Sequence, residues 1–261
     1  MQRFFTVQKS TEFKNEKLFL PQEIFHHAVD VLRMKVDDQF ELVTADEKVY
    51  QCQLTKVEKH EGQFKIVKAI DREVEMPVKI TIVCGVSKGD KAEEIVKKGT
   101  QLGAARFIFL NSRYSVARWK NQKQVKKIKR LQTIALNAAE QSHRNHVPEV
   151  KWADSLDDVI AMNADADFKV VAYEESAKQD EKTVLAQIAT QAREKDSTSL
   201  VAFFGPEGGI APEEIKQLTA AAYQCAGLGP RILRAETAPL YLLAALSFAT
   251  ELEENNNKDF N

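Results

Sequence analysis

Along the first seventy or so residues, apolar and polar side chains alternate with a period of about two. QFELVT (39–44) and KVYQCQLTKV (48–57) read as strands separated by the turn-like ADEK, and QFKIVKAI (63–70) as a third. Between residues 20 and 35, LPQEIFHHAVDVLRMK reads as a short helix with Ile24, Val31 and Leu32 apolar. A small β-barrel with a helical insert fits this pattern. DREVEMP (71–77), polar and closed by Pro77, reads as a linker.

Beyond Pro77 the pattern changes to strands alternating with helices. VKITIVCGV is a strand, and DKAEEIVKKGTQLG is a helix with Ala92, Ile95, Val96, Gly99 and Leu102 on one face and Gly103 as its stop. Strand ARFIFLNS follows, then a long helix from about Trp119 to Ser142. Next come strand VPEVKW, helix SLDDVIAM, strand FKVVAY, helix KTVLAQIATQAR, strand SLVAFF, helix APEEIKQLTAAA, strand YQCAGLG and a last helix. The alternation predicts an α/β domain with a mostly parallel sheet covered on both faces. The polar tail ELEENNNKDFN is expected to fray.

Composition excludes several classes. The N-terminus has no apolar core of a signal peptide, and APLYLLAALSFA is too short to span a membrane, so a cytoplasmic protein is expected. Cys52, Cys84 and Cys225 fit no zinc or redox spacing and read as small core residues. The net charge of −1 is unevenly spread. Residues 111–151 hold ten basic side chains against Glu140 and Glu149, a net of +8 that leaves −9 for the remainder. In the long helix Lys120, Lys123, Lys126, Lys127 and Arg130 fall broadly opposite the apolar side. Such a stripe is the footprint of a nucleic-acid contact, or else a solvated helix face.

Two strand-to-helix loops carry candidate chemistry, because ligands of open parallel sheets bind outside the carboxyl ends of the strands. The first is FFGPEGGIAP. Its glycines permit close backbone approach, but Pro206 removes a donor and Glu207 puts a negative charge where a phosphate would lie. With neither G-K-[ST] nor G-x-G-x-x-G present, a phosphate-free ligand or a purely structural turn is left. The second is LGPRILRAETAP, with Arg231, Arg234 and Glu236, leading into a helix that is apolar nearly all round. That helix calls for a homodimer interface, or for a central position covered internally.

FFGPEGG and LGPRILRAETA, together with AAEQSHRNHVPEV and SKGDKAEEIVKKGTQLGA in the same order, closely resemble the RsmE family, uridine N3-methyltransferases of 16S ribosomal RNA in the SPOUT superfamily. The resemblance covers essentially the whole chain, HHAVDVLRMK included. It implies a PUA-like RNA-binding β-barrel over residues 1–72 and a SPOUT α/β domain with a deep trefoil knot over residues 73–261. It also implies a homodimer using S-adenosylmethionine and no metal. The partner would be 16S rRNA in the small subunit or its assembly intermediate, with one uridine in the decoding region as the target.

S-adenosylmethionine has a sulfonium, a diol and an adenine but no phosphate, which suits the first loop. The resemblance puts Phe204, Gly205, Pro206, Glu207, Gly208, Leu228, Gly229, Ile232, Leu233 and Arg234 around it. Backbone groups of Leu228, Ile232 and Leu233 are expected at the adenine edge. Glu207 would meet a ribose hydroxyl or the sulfonium, or simply shape the loop. Arg234 is expected to stabilise the uracil anion. Glu236 is expected to serve either as base or as a brace at the helix start. Arg33, Lys88, Lys91, Arg144, Asn145 and the basic helix face are expected to meet RNA, mostly at phosphates. His143 and His146 lack a third metal ligand nearby and fit hydrogen bonding or RNA contact better. Rival readings are a non-catalytic RNA-binding module and a SPOUT enzyme acting on ribose 2′-OH or on transfer RNA.

Overall fold

The computed structural model describes residues 1–13, 18–173, 184–194 and 198–252. Most of the tail expected to fray, and the first two residues of the helix KTVLAQIATQAR, lie outside the described residues. The chain forms two compact units: Met1–Glu75 with Ala139–His146, and Met76–Ala138 with Val147–Asn261.

In the first unit a five-stranded sheet has the order β1-β3-β4-β5-β2, where β1 is Gln2–Phe5, β2 Leu18–Phe19, β3 Gln39–Val43, β4 Val49–Glu58 and β5 Glu61–Ile70. The three strands with period-two patterning are β3, β4 and β5, paired antiparallel in that order. β1, which the pattern did not reveal, lies parallel to β3 with Gln2 opposite Phe40. The apolar face packs Phe4, Phe40 and Phe64 edge to face, with Phe25, Leu42, Cys52 and Leu54 around them. The expected helix begins as α1, Gln22–Phe25, and continues as a π-helical stretch, His26–Val31.

The second unit is built on β6 (Val78–Gly85), β7 (Arg106–Leu110), β8 (Glu149–Trp152), β9 (Phe168–Ala172), β10 (Thr198–Phe204) and β11 (Gln224–Ala226). Their order is β11-β9-β10-β6-β7-β8, and every pairing is parallel. The helices are α2 (Lys91–Gln101), α3 (Asn121–Gln141, whose last residues belong to the first unit), α4 (Leu156–Met162), α5 (Val184–Glu194), α6 (Pro212–Ala220) and α7 (Thr237–Ser247). Gly103, at φ +91°, ends α2 as expected.

The continuous apolar runs of the central strands follow from burial on both faces. In β10, Leu200, Ala202 and Phe204 enter one core with Ile80, Ile82, Val96, Leu242 and Leu243. Val201 and Phe203 enter the other, with Val83, Ile108 and Leu218. β10 is paired with β6 through to its last residue, Phe204 opposite Cys84, one residue short of the end of β6, so the loops after the two strands leave the same edge. The thiols of Cys52 and Cys84 are buried and pushed up by that burial, as inert core cysteines should be.

Candidate functional site

Strand order reverses between β6 and β10: β7 and β8 lie on one side, β9 and β11 on the other. Open sheets bind ligands outside the carboxyl edge at such a point. A cavity of about 600 Å³ lies there, within the usual range for small-molecule sites. Its walls are Lys91, Ala172, Tyr173, the 204–210 loop, the 232–235 segment and Ala238. A smaller cavity of about 110 Å³, lined by Ala226, Leu228, Gly229 and Arg231, shares Ala172, Tyr173, Ile232, Leu233 and Ala238 with it.

Local packing fixes the first loop. A Cβ on Gly85, at the end of β6, would sit 2.7 Å from Pro206 Cδ and 2.8 Å from Ser112 Oγ, so only glycine lets Pro206 close over the strand end. A Cβ on Gly208 would sit 2.9 Å from the Tyr114 carbonyl oxygen, which brings the 111–119 loop against FFGPEGG. Buried Glu214 joins the two loops. Its Oε2 accepts from the Ala211 N–H at 3.0 Å, completing the start of α6, and its Oε1 accepts from the Arg113 N–H at 2.8 Å.

The polar side of the cavity is an ion cluster. Lys91 Nζ lies 3.0 Å from Glu207 Oε1 and 3.3 Å from Glu236 Oε2. Glu207 Oε1 also accepts from the Lys88 N–H at 3.1 Å. The Glu207 carboxylate foremost, then Glu236, outweighs partial burial and holds the Lys91 ammonium above its usual range. Burial alone would raise the Glu207 carboxyl, but its own N–H, Lys91 and the Lys88 N–H together hold it below the usual carboxylate range. Glu236 Oε2 is shielded from solvent and has no aligned hydrogen bond; Lys91 meets it at ion-pair distance only.

The structure thus brings Phe204 to Gly208, Ile232 to Arg234, Glu236 and Lys91 to one place, with Leu228 and Gly229 in the adjoining cavity. Lys88 is exposed and donates its backbone N–H to Glu207, whereas Lys91, expected on RNA, faces two carboxylates. Arg33 is exposed in the first unit, at φ +58°. Arg144 and Asn145 depart from the expected open phosphate contact: both are buried inside the first unit. The Arg144 guanidinium pairs with Glu75, whose Oε1 also accepts the N–H of Asn145 at 2.9 Å. The Asn145 amide accepts from Arg3 and donates to the Arg72 carbonyl. His143 and His146 bond Glu41 and Glu47, and no metal-holding cluster of His, Cys, Asp or Glu occurs among the described residues. Tyr173, Ala172 and Glu214 were missed by sequence reasoning. Tyr173 and Ala172 end FKVVAY, so the rule about strand carboxyl ends was signal enough to find them.

Residues 74–247 match the family model of an RNA methyltransferase domain, and residues 20–67 that of an RNA methyltransferase PUA domain. Ribosomal RNA small subunit methyltransferase E of Bacillus subtilis (strain 168) is 40% identical over 253 residues, 97% of this chain and 98% of that one. The chain belongs to the ribosomal RNA small subunit methyltransferase E family. Among solved structures, a crystallised protein described only as hypothetical is 37% identical with a TM-score of 0.88, covering 96% of this chain and 99% of its own. The methyltransferase E of Neisseria gonorrhoeae, bound to S-adenosylmethionine, is 27% identical with a TM-score of 0.76, over 95% of this chain and 97% of its own. Methyltransferase E membership makes the first unit's sheet part of a PUA-like domain and the second unit's fold that of an RNA methyltransferase.

Proposed function

We propose that this methyltransferase E transfers a methyl group from S-adenosylmethionine to N3 of a single uridine in 16S rRNA, in the small subunit or its assembly intermediate. The observation that carries the reading is the cavity at the strand-order reversal, walled by 204–210 and 232–235, where the wall residue Lys91 gathers the carboxylates of Glu207 and Glu236. Two carboxylates against one ammonium leave a net negative charge beside close-packed backbone, which suits a cofactor that carries a positive charge and no phosphate.

When bound, S-adenosylmethionine supplies a methyl group activated on a sulfonium. Leu228, Ile232 and Leu233 would offer backbone groups to the adenine, with Gly205 and Gly208 allowing close approach to the remainder. Pro206, Phe204 and Gly229 would shape the walls. Arg234, an exposed residue on the cavity wall, would stabilise the uracil anion as N3 loses its proton. Glu236, shielded and unaligned at Oε2, would accept that proton. The uridine would leave its stack to reach the cavity.

We also assign residues 1–72 to RNA binding and residues 73–261 to methyl transfer, with a trefoil knot in the latter, in a cytoplasmic homodimer. The open side of α7 supports the dimer. Pro239, Leu242, Leu243 and Leu246 are buried, while Tyr241 of α7 and Phe248 and Leu252 of the π-helical stretch Phe248–Leu252 that follows it stand exposed. No helix among the described residues is long and apolar enough to cross a membrane.

Arg234→Ala tests the assignment. Methylation of small subunits should fall by two to three orders of magnitude, roughly the effect of removing an anion-stabilising donor. Calorimetric S-adenosylmethionine affinity should persist. Wild-type turnover in the variant would remove Arg234 from the chemistry.

A further inference from the structure

We propose that the loop from Arg113 to Trp119 and the first turns of α3 form a track for single-stranded RNA that begins at the rim of the cofactor cavity. The inference rests on the proposed methylation of ribosomal RNA and names the surface that would deliver the substrate strand.

Between Arg113 and Arg130 the sequence holds eight cations and no acid. Arg113, Arg118, Lys120, Lys123, Lys126, Lys127, Lys129 and Arg130 are all exposed. Two of them meet acids from neighbouring helices: Arg130 bonds Glu93, and Arg113 lies 3.9 Å from Glu213. A helix face serving only solubility mixes both signs of charge; this face carries one, on a chain whose net charge is −1.

The loop is held in shape from within. The Asn111 side chain accepts from the Trp119 N–H at 2.9 Å and donates to its carbonyl at 2.8 Å, closing the loop at its base. The Ser115 N–H donates to the Ser112 carbonyl at 3.1 Å. The Trp119 ring stacks on Trp152 at 5.8 Å, with Lys127 Nζ 5.0 Å from its centroid, which anchors the entry to α3. Glu214 fixes the other end through the Arg113 N–H.

This braced loop turns apolar side chains outward. Tyr114 is 44% exposed and Val116 61%. Tyr114 sits at the cavity rim, its backbone against Gly208. An exposed aromatic ring on a rigid loop, flanked by arginines and followed by a lysine-lined helix, is the chemistry that binds a single strand. The ring stacks a base near the cavity and the cations follow the phosphates away from it. Lys123, Lys126 and Lys129 supply phosphate contacts, and Tyr114 positions the target base or its neighbour.

The test is titration of a fluorescein-labelled single-stranded RNA of mixed sequence at several KCl concentrations, beside calorimetric titration of S-adenosylmethionine. Replacing Lys123, Lys126 and Lys129 together by Gln should weaken RNA binding. It should also flatten the slope of log affinity against log salt by about 2, since each phosphate contact contributes about 0.7 for single strands. Tyr114→Ala should weaken binding by about 10-fold, within the range of one stacked base, with the slope unchanged. Both variants should bind S-adenosylmethionine as the wild type does, which confirms that they fold. A wild-type slope in the triple variant, wild-type affinity in Tyr114→Ala, or a wild type that binds cofactor but no RNA would each overturn the track. Loss of cofactor binding in the wild type, with these RNA effects intact, would instead overturn the methyl-transfer reading and leave the track standing.

Discussion

Glu75→Ala should destabilise the first unit severely. Arg144, the basic residue of EQSHRNH, is only 4% exposed. Its Nε lies 3.1 and 3.3 Å from the two Glu75 oxygens, and its Nη2 also bonds Glu75. The same carboxylate accepts the N–H groups of Asn145 at 2.9 Å and His146 at 3.2 Å. The substitution therefore strips a buried guanidinium of this counterion and two backbone donors of their acceptor. Breaking a buried pair from one side costs about 3–5 kcal/mol. With a urea slope of about 1–3 kcal/mol per molar, the midpoint should fall by about 2 M. The assay is urea unfolding followed by hydrogen exchange at β1 and β3. Glu75→Gln, which keeps an acceptor oxygen but not the charge, should fall between wild type and Glu75→Ala. A loss within about 0.5 kcal/mol, the range of an ordinary surface substitution, would refute a structural role for the Arg144 pair.

Glu214→Ala should cost about 2–4 kcal/mol, from one buried and one partly buried N–H group losing their acceptor, and should weaken S-adenosylmethionine binding as the 111–119 and 204–210 loops separate; paired calorimetry and thermal unfolding check it. Glu41 should give the first unit an acid limb. Burial would raise its carboxyl, but Arg3 and then His143 overcome this and hold it below its ordinary 4.5. A depressed folded value means the stabilisation is complete above pH 4.5 and is lost as the pH falls through the folded value, so Glu41→Gln should flatten stability against pH below 4.5. Phe248→Glu, placing a charge on the exposed apolar side of the π-helical stretch that follows α7, should shift the protein toward monomer in sedimentation equilibrium, while an unchanged mass would argue against that face as the interface.

The central strands were legible because burial on both faces leaves an unbroken apolar run, as in SLVAFF. The two ligand loops were legible because glycine and proline cluster where backbone must turn or approach closely. β1 was not. It is four residues long, and its second position, Arg3, is buried, which inverts the usual polarity cue. Arg3 is accommodated by Glu41 and by the carbonyls of His143 and Arg144, partners far along the chain. The carboxylate partners of Arg144 and Lys91 were illegible for the same reason. A cation's role depends on whether a carboxylate meets it, and Glu75, Glu207 and Glu236 are brought there by the fold rather than by local pattern. The basic run after Arg113 was visible as charge; that it starts at the cavity rim, with Tyr114 against Gly208, required the structure.

Methyl transfer to one uridine is tested most directly by nucleoside-resolved mass spectrometry of 16S rRNA from cells lacking this gene, with and without the gene restored. Loss of a single 3-methyluridine and its return on restoration is the predicted result. An unchanged 16S rRNA, or a lost methyl group on a ribose 2′-OH or on transfer RNA, would contradict it.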